Sequence, residues 1–171
     1  FKNFLSLVPG AYTKDFASVK TSGKLSFSGH VKGIYNAVSM PAYGMNLKIS
    51  NAMFQYPSLP KSANNIQMDV SIDNKTGKTD NTVIDVNKFH VEMAGNPVDI
   101  KMHVETPVSD PYVNGTVNGK VDLASIKDVM PLSKDQQLSG IITANMAMNG
   151  HESDIEKQHY DQFKASGEVK V

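Results

Sequence analysis

The feature that most constrains this chain is the recurrence of apolar side chains at every second residue over most of its length. That period of two belongs to an extended strand with one covered and one wetted face. Between Ser22 and Asn36, Leu25, Phe27, Val31 and Tyr35 take one parity while Lys24, Ser26, Ser28 and Lys32 take the other. Met45, Leu47, Ile49 and Met53 repeat the pattern against Asn46, Lys48 and Ser50, and Tyr56-Pro57 closes the strand. Ile66, Met68, Val70 and Ile72 alternate with Gln67, Asp69, Ser71 and Asp73 before the turn-rich DNKTGKTDN. Ile84 and Val86 then share a parity that passes to Phe89, Val91 and Met93 across Asn87-Lys88, which predicts a β-bulge inside one strand.

Val98, Ile100, Met102 and Val104 form the fifth strand, with Gly95-Asn96-Pro97 as the expected turn before it. Five strands joined by short turns make a meander over about 21–106. After TPVSDP the alternation restarts, from about residue 112, through Val113 to Val117, then Val121 to Leu123, and from Leu138 through Ile142, Ala144, Met146 and Met148. Short helices are expected at Leu123 to Val129 and at Glu152 to Lys164, where Ile155, Tyr160 and Phe163 fall near one helical face. A third is expected at the chain start, with Phe1, Phe4, Leu5 and Val8 on its apolar side. The fold class is therefore mainly β: a curved antiparallel meander, groove or half-barrel, with two or three short helices. An echo of Asp15-Phe16 and Ser22-Gly23-Lys24-Leu25 in Gln162-Phe163 and Ser166-Gly167-Glu168-Val169 suggests a repeated architecture.

At 171 residues the chain fits a single domain. Seventeen basic and seventeen acidic side chains cancel, so no net field is expected to draw a polyanion or an acidic membrane surface, and nucleic acid is not an expected partner. The absence of cysteine removes disulfides, thiolate metal sites and cysteine nucleophiles. The opening FKNFLSLVPG lacks the pattern of a signal peptide and no apolar run reaches about 20 residues, so a targeting signal or anchor is expected outside this stretch.

Catalytic motifs fail one by one. His30, His90 and His103 take the polar parity of separate strands, where a solvated histidine is ordinary. His151-Glu152 resembles the start of a zinc helix, but Ile155 stands where the second ligand belongs. Gly77-Lys78-Thr79 imitates a phosphate loop with Ile72 in place of its first glycine, and Gly115-Thr116-Val117-Asn118-Gly119 has valine where a nucleophile elbow needs serine. Asp69, Asp85, Asp99 and Glu105 lie on the polar parity, away from any dry pocket. Neither an enzyme, a metal nor a cofactor is expected. Asn74-Lys75-Thr76 and Asn114-Gly115-Thr116 match a glycosylation sequon.

What remains is the apolar face itself. Seven of nine methionines, Met45, Met53, Met68, Met93, Met102, Met146 and Met148, fall on it. Methionine fills irregular gaps in ordinary cores, and its flexible thioether also suits a lining for ligands of variable shape, such as acyl chains. Short helices shield only part of so wide a face, so the sheet closes on itself or remains a trough for lipid.

The wording of LSLVPGAYTKDFASVKTSGKLSFSGHVKGIY, MPAYGMNLKISNAMFQYPSLP, VNGKVDLASIKDVMPL and LSGIITANMAMNG resembles AsmA-family proteins of Bacteroides-type bacteria. The resemblance implies a long protein tethered to the inner membrane, with a β-rich periplasmic body that serves outer-membrane biogenesis and forms a β-groove conducting phospholipid. It brings no catalytic residues. The lining expected from parity is Leu25, Phe27, Val31, Met45, Leu47, Ile49, Met53, Ile66, Met68, Val70, Ile72, Phe89, Val91, Met93, Ile100, Met102, Val104, Ile142, Met146 and Met148. The alternative is a structural module with a closed core that contacts other envelope proteins.

Overall fold

The computed structural model describes residues 19–36, 39–131 and 138–171. They form one open antiparallel sheet whose eight strands lie side by side in chain order. The strands are β1 (Lys20–Lys32), β2 (Ala42–Gln55), β3 (Ala63–Asn74), β4 (Thr82–Met93), β5 (Asn96–Glu105), β6 (Tyr112–Asp122), β7 (Ile141–His151) and β8 (Lys164–Lys170). β1 and β8 are the two edges, and among the described residues nothing joins them into a barrel. The sheet runs without interruption through the 106–111 connection, because β5 and β6 pair from Val98 opposite Gly119 to Glu105 opposite Tyr112.

Local chemistry explains the joints. Ala94 and Gly95 both take positive φ, +50° and +83°, the pair of left-handed residues that a tight hairpin turn requires. The turn therefore lies one residue earlier than the sequence suggests, and Asn96 and Pro97 already face Met93 and Glu92 inside the ladder. The bulge expected at Asn87-Lys88 is present: the register slips between Val86 and Phe89 against both β3 and β5. Two further bulges sit at Asn51 and Asn65, each with φ +49°, a conformation asparagine tolerates better than most residues.

The helices are shorter than their sequence patterns suggest. α1 (Leu123–Ile126) is capped by the Asp122 side chain, which accepts from the Ala124 amide at 3.0 Å. α2 (Glu152–Glu156) stops where Gln158 adopts φ +60°, so Ile155 and Tyr160 are exposed instead of packing along one helical stripe. The third expected helix and Asp15-Phe16 lie outside the described residues. The Ser-Gly pairs of the echo occupy the two edge strands. Gly23 and Gly167 both have positive φ, +120° and +133°, and both lie against neighbouring backbone, Ala52 and Asn145 respectively, where a side chain would clash.

The buried side chains lie toward the ends of the sheet. The buried apolar residues Val19, Ala52, Ala63, Val91 and Val129 all lie at the end where β1 and β3 begin and β2 and β4 finish. There the segment after α1 folds back over the sheet: the Lys61 amide donates to the Asp128 carbonyl at 2.9 Å, and Lys61 pairs with the Asp128 carboxylate at 3.0 Å. Val129 thereby sits on Ala63 and Val91, with Ile66, Phe89, Met93 and Val98 packed around them.

The opposite end is sealed by hydrogen bonds. Asn74, the most buried side chain, accepts from the Thr76 and Gly77 amides at 3.1 and 2.7 Å and donates to the Lys78 carbonyl and Thr82 hydroxyl at 2.6 and 2.8 Å. Its amide nitrogen is thus fully engaged inside the turn, which closes the first glycosylation sequon as an acceptor.

Candidate functional site: an uncovered apolar face

Between these two ends the strands bring their apolar side chains into continuous rows. Cross-strand partners in an antiparallel ladder point to the same face, so the rows follow directly from the register. The first runs Leu25, Ile49, Met68, Phe89, Ile100, Val117, Met146 and Gly167, one residue from each strand. The second runs Phe27, Leu47, Val70, Val86, Met102, Gly115, Met148 and Ala165. The third runs Gly29, Met45, Ile72, Ile84, Val104, Val113 and Gly150.

With strands about 4.8 Å apart and successive same-face residues about 6.8 Å apart, the three rows cover roughly 34 by 14 Å, on the order of 500 Å² in projection. None of their large apolar side chains is buried; Phe27 is 54% and Met45 37% exposed. A surface of this size is at the upper end of what monomeric proteins leave to water, and such patches mark binding surfaces.

The remaining residues expected on this face fall around the rows. Val31 continues toward the sealed end in line with Tyr43, Asn74 and Thr82, whose side chains form a polar border with Tyr43 Oη 3.2 Å from Thr82 Oγ1. Ile66 faces Ala52, Val91 faces Val98, Met93 faces Ala63, and Ile142 faces Val121. Ile66, Val91 and Met93 therefore belong to the covered end.

Met53 does not line the face. The bulge at Asn51 reverses the alternation, so Ala52 and Phe54 continue the apolar side while Met53 pairs with Ser22 on the reverse. Parity missed Ile84, Val86, Val113 and Val117 as lining, although each has the spacing of its neighbours. It also missed the glycines Gly29, Gly115 and Gly150, which lower the floor of the rows toward both edges.

The reverse face is polar, and two of its histidines, His90 and His103, are held by carboxylates and not simply solvated as the sequence suggests, while His30 is exposed. His103 sits between Asp85, 2.6 Å from Nδ1, and Glu105, 3.1 Å from Nε2. The Asp85 hydrogen bond, followed by that of Glu105, raises the His103 pKa above its ordinary 6.5. His90 lies 2.8 Å from Asp99, with Asn65 at 3.3 Å on its other nitrogen. Both ring nitrogens of each histidine are therefore occupied, leaving neither to activate a nucleophile.

His151 serves as the N-cap of α2, its amide donating to Asp154 at 3.0 Å. Among the described residues no cluster of three or more His, Asp or Glu forms a metal site, and no helix is long and apolar enough to cross a membrane. Comparison with protein-family models, characterised proteins and solved structures finds no match, so the geometry of the face carries the functional reading.

Proposed function

We propose that the chain is a non-enzymatic, lipid-contacting module of the cell envelope that lays phospholipid acyl chains along its open apolar face. The observation that supports this most directly is the set of three unbroken rows in which no large apolar side chain is buried. A half-bilayer of hydrocarbon is about 15 Å thick, so the face has room for acyl chains lying flat. Methionine, valine and leucine supply an adaptable lining with no polar group that demands a partner. Glycines toward the edges lower its sides.

The reading is one of binding and conduction, not of reaction, because Asp85, His90, Asp99, His103 and Glu105 lie on the reverse face with hydrogen bonds to one another or to their neighbours. In keeping with the resemblance to AsmA-family proteins, we place the module in the periplasm, as part of a protein tethered to the inner membrane and serving outer-membrane biogenesis. A scaffold that meets other envelope proteins through a closed core fits less well, since among the described residues the strands neither close on themselves nor stack on a second layer.

Native mass spectrometry of the chain before and after incubation with phospholipid vesicles tests the proposal, with Met68→Asp and Met102→Asp in parallel and circular dichroism as the folding check. Retained phospholipid that both folded variants lose is the expected result. A folded wild-type chain that never carries an adduct would turn the reading toward the scaffold.

A further inference from the structure

The balance of charge over the whole chain hides a strong local imbalance. No acidic residue occurs between Asp15 and Asp69, while Lys20, Lys24, Lys32, Lys48 and Lys61 all fall in that interval. Lys48 and Lys61 are paired, with Asp69 and Asp128. Among the described residues, Lys20, Lys24 and Lys32 have no ion-pair partner. The edge strand β1 is thus a basic border, and it ends at a strongly exposed apolar corner.

That corner is made by residues 33–36 and 39–41, between β1 and β2, together with the β3–β4 turn. Val31, Ile34 and Tyr35 are 71%, 73% and 77% exposed. Val31 and Tyr35, with Met40, Tyr43 and Met45, border a recess of about 530 Å³ that opens at the edge of the apolar face, next to Phe27. The two connections touch, because a Cβ on Gly77 would lie 1.8 Å from the Met40 carbonyl oxygen. Lys75 and Lys78 therefore flank the same corner as Lys32.

The acids nearby offer little opposition. Asp73 is 3.9 Å from Lys75. Asp80 is turned toward the 106–111 connection, accepting from the Val108 and Ser109 amides and the Ser109 hydroxyl.

Exposed aliphatic and aromatic side chains flanked by lysines, Lys32 and Lys78 without an ion-pair partner among the described residues and Lys75 only at 3.9 Å from Asp73, are the surface chemistry of a segment that rests on an anionic bilayer. We infer that this corner docks the chain on an anionic phospholipid surface and delivers the edge of the apolar face to it. The inference runs against the expectation, drawn from overall neutrality, that no net field draws the chain to an acidic membrane surface. The inference rests on the corner alone, not on lipid lying along the rows.

Flotation with vesicles of phosphatidylcholine, with and without phosphatidylglycerol, tests it. The intact chain is expected to float with the anionic vesicles, to be released by high salt, and to ignore the neutral ones. The Lys32→Glu/Lys75→Glu/Lys78→Glu variant loses roughly a hundredfold in affinity, at about a fivefold loss for each lysine removed from the surface. The Ile34→Ser/Tyr35→Ser variant loses at least about tenfold. Met68→Asp and Met102→Asp keep full vesicle binding even where they lose a retained lipid, which separates this inference from the reading of the face. Equal binding to both vesicle types, salt-insensitive binding, a charge-reversed variant that floats like the parent, or no flotation at all would each overturn it.

Discussion

Where β3 begins and β4 finishes, Ala63 and Val91 lie beneath Val129 and are dry. A few residues along the same strands, Ile72 and Ile84 have equally apolar neighbours but only partial cover. The strands, register and residue types are alike in the two regions. What differs is the segment laid over the first by α1 and the Lys61–Asp128 contacts, with no equivalent over the second among the described residues. Apolar parity thus specifies which face a side chain takes, while a long-range return of the chain decides whether that face becomes core. One region holds the sheet together, and the other is left available for a ligand.

The sharpest way to break this contrast is to place a carboxylate in each region. Val129→Asp buries a charge without a partner and should cost about 3 kcal/mol or more in urea unfolding. Val31→Asp, on the open side, should change stability by no more than about 0.5 kcal/mol. Comparable losses at both positions would mean that the face is covered in solution.

Asn74→Ala comes next. It removes four hydrogen bonds and leaves the Thr76 and Gly77 amides without their acceptor, so a loss of about 2 kcal/mol is expected, together with faster amide exchange across 75–81. A neutral outcome would show that the sealed end contributes nothing to holding the β3–β4 turn.

A gain is expected from Thr21→Val. Thr21 pairs with Phe54 at the covered end, and its hydroxyl is the one buried side-chain polar group without a hydrogen-bond partner among the described residues. Replacing it by a side chain of similar shape removes an unsatisfied group and should raise stability by about 1 kcal/mol, read as a higher Tm. A loss would mean that water reaches this hydroxyl and that the covered end is wetter than Val129 suggests.

How far the sequence foretold these regions depends on the kind of signal each leaves. The open rows were legible because β5, β7 and β3 from Ile66 onward alternate without interruption, and the Asn87-Lys88 bulge was legible because apolar residues change parity visibly on either side of it. The Asn51 bulge was disguised: Met53 prolongs the parity of Ile49, so an apolar residue stands where a polar one would have exposed the slip. Val129 as a cover was not legible at all, since its contacts with Ala63 and Val91 span more than thirty residues and follow a helix of only four. The basic edge was readable in principle, from the run without acids between Asp15 and Asp69, but a charge count over the whole chain averages it away.

The smallest expected effect lies behind the open rows, where His103 faces Asp85 and Glu105. Folding raises its pKa, so the folded state favours the protonated ring. The stabilisation is fully present below the unfolded value of about 6.5 and is lost as pH rises through the higher folded value. Because the side chain is 36% exposed, solvent screening limits the effect to a few tenths of a kcal/mol. The stability difference between the parent and His103→Gln should accordingly be largest near pH 6 and shrink steadily above the folded pKa, measured by urea unfolding across that range. Phospholipid retention by the same variant should not change, because Asp85, His103 and Glu105 project from the opposite side of the strands that carry Ile84, Val86, Met102 and Val104. If His103→Gln altered lipid retention with the same pH dependence, the two faces would be coupled through the sheet, and the apolar rows would not be the independent surface that the contrast with the covered end requires.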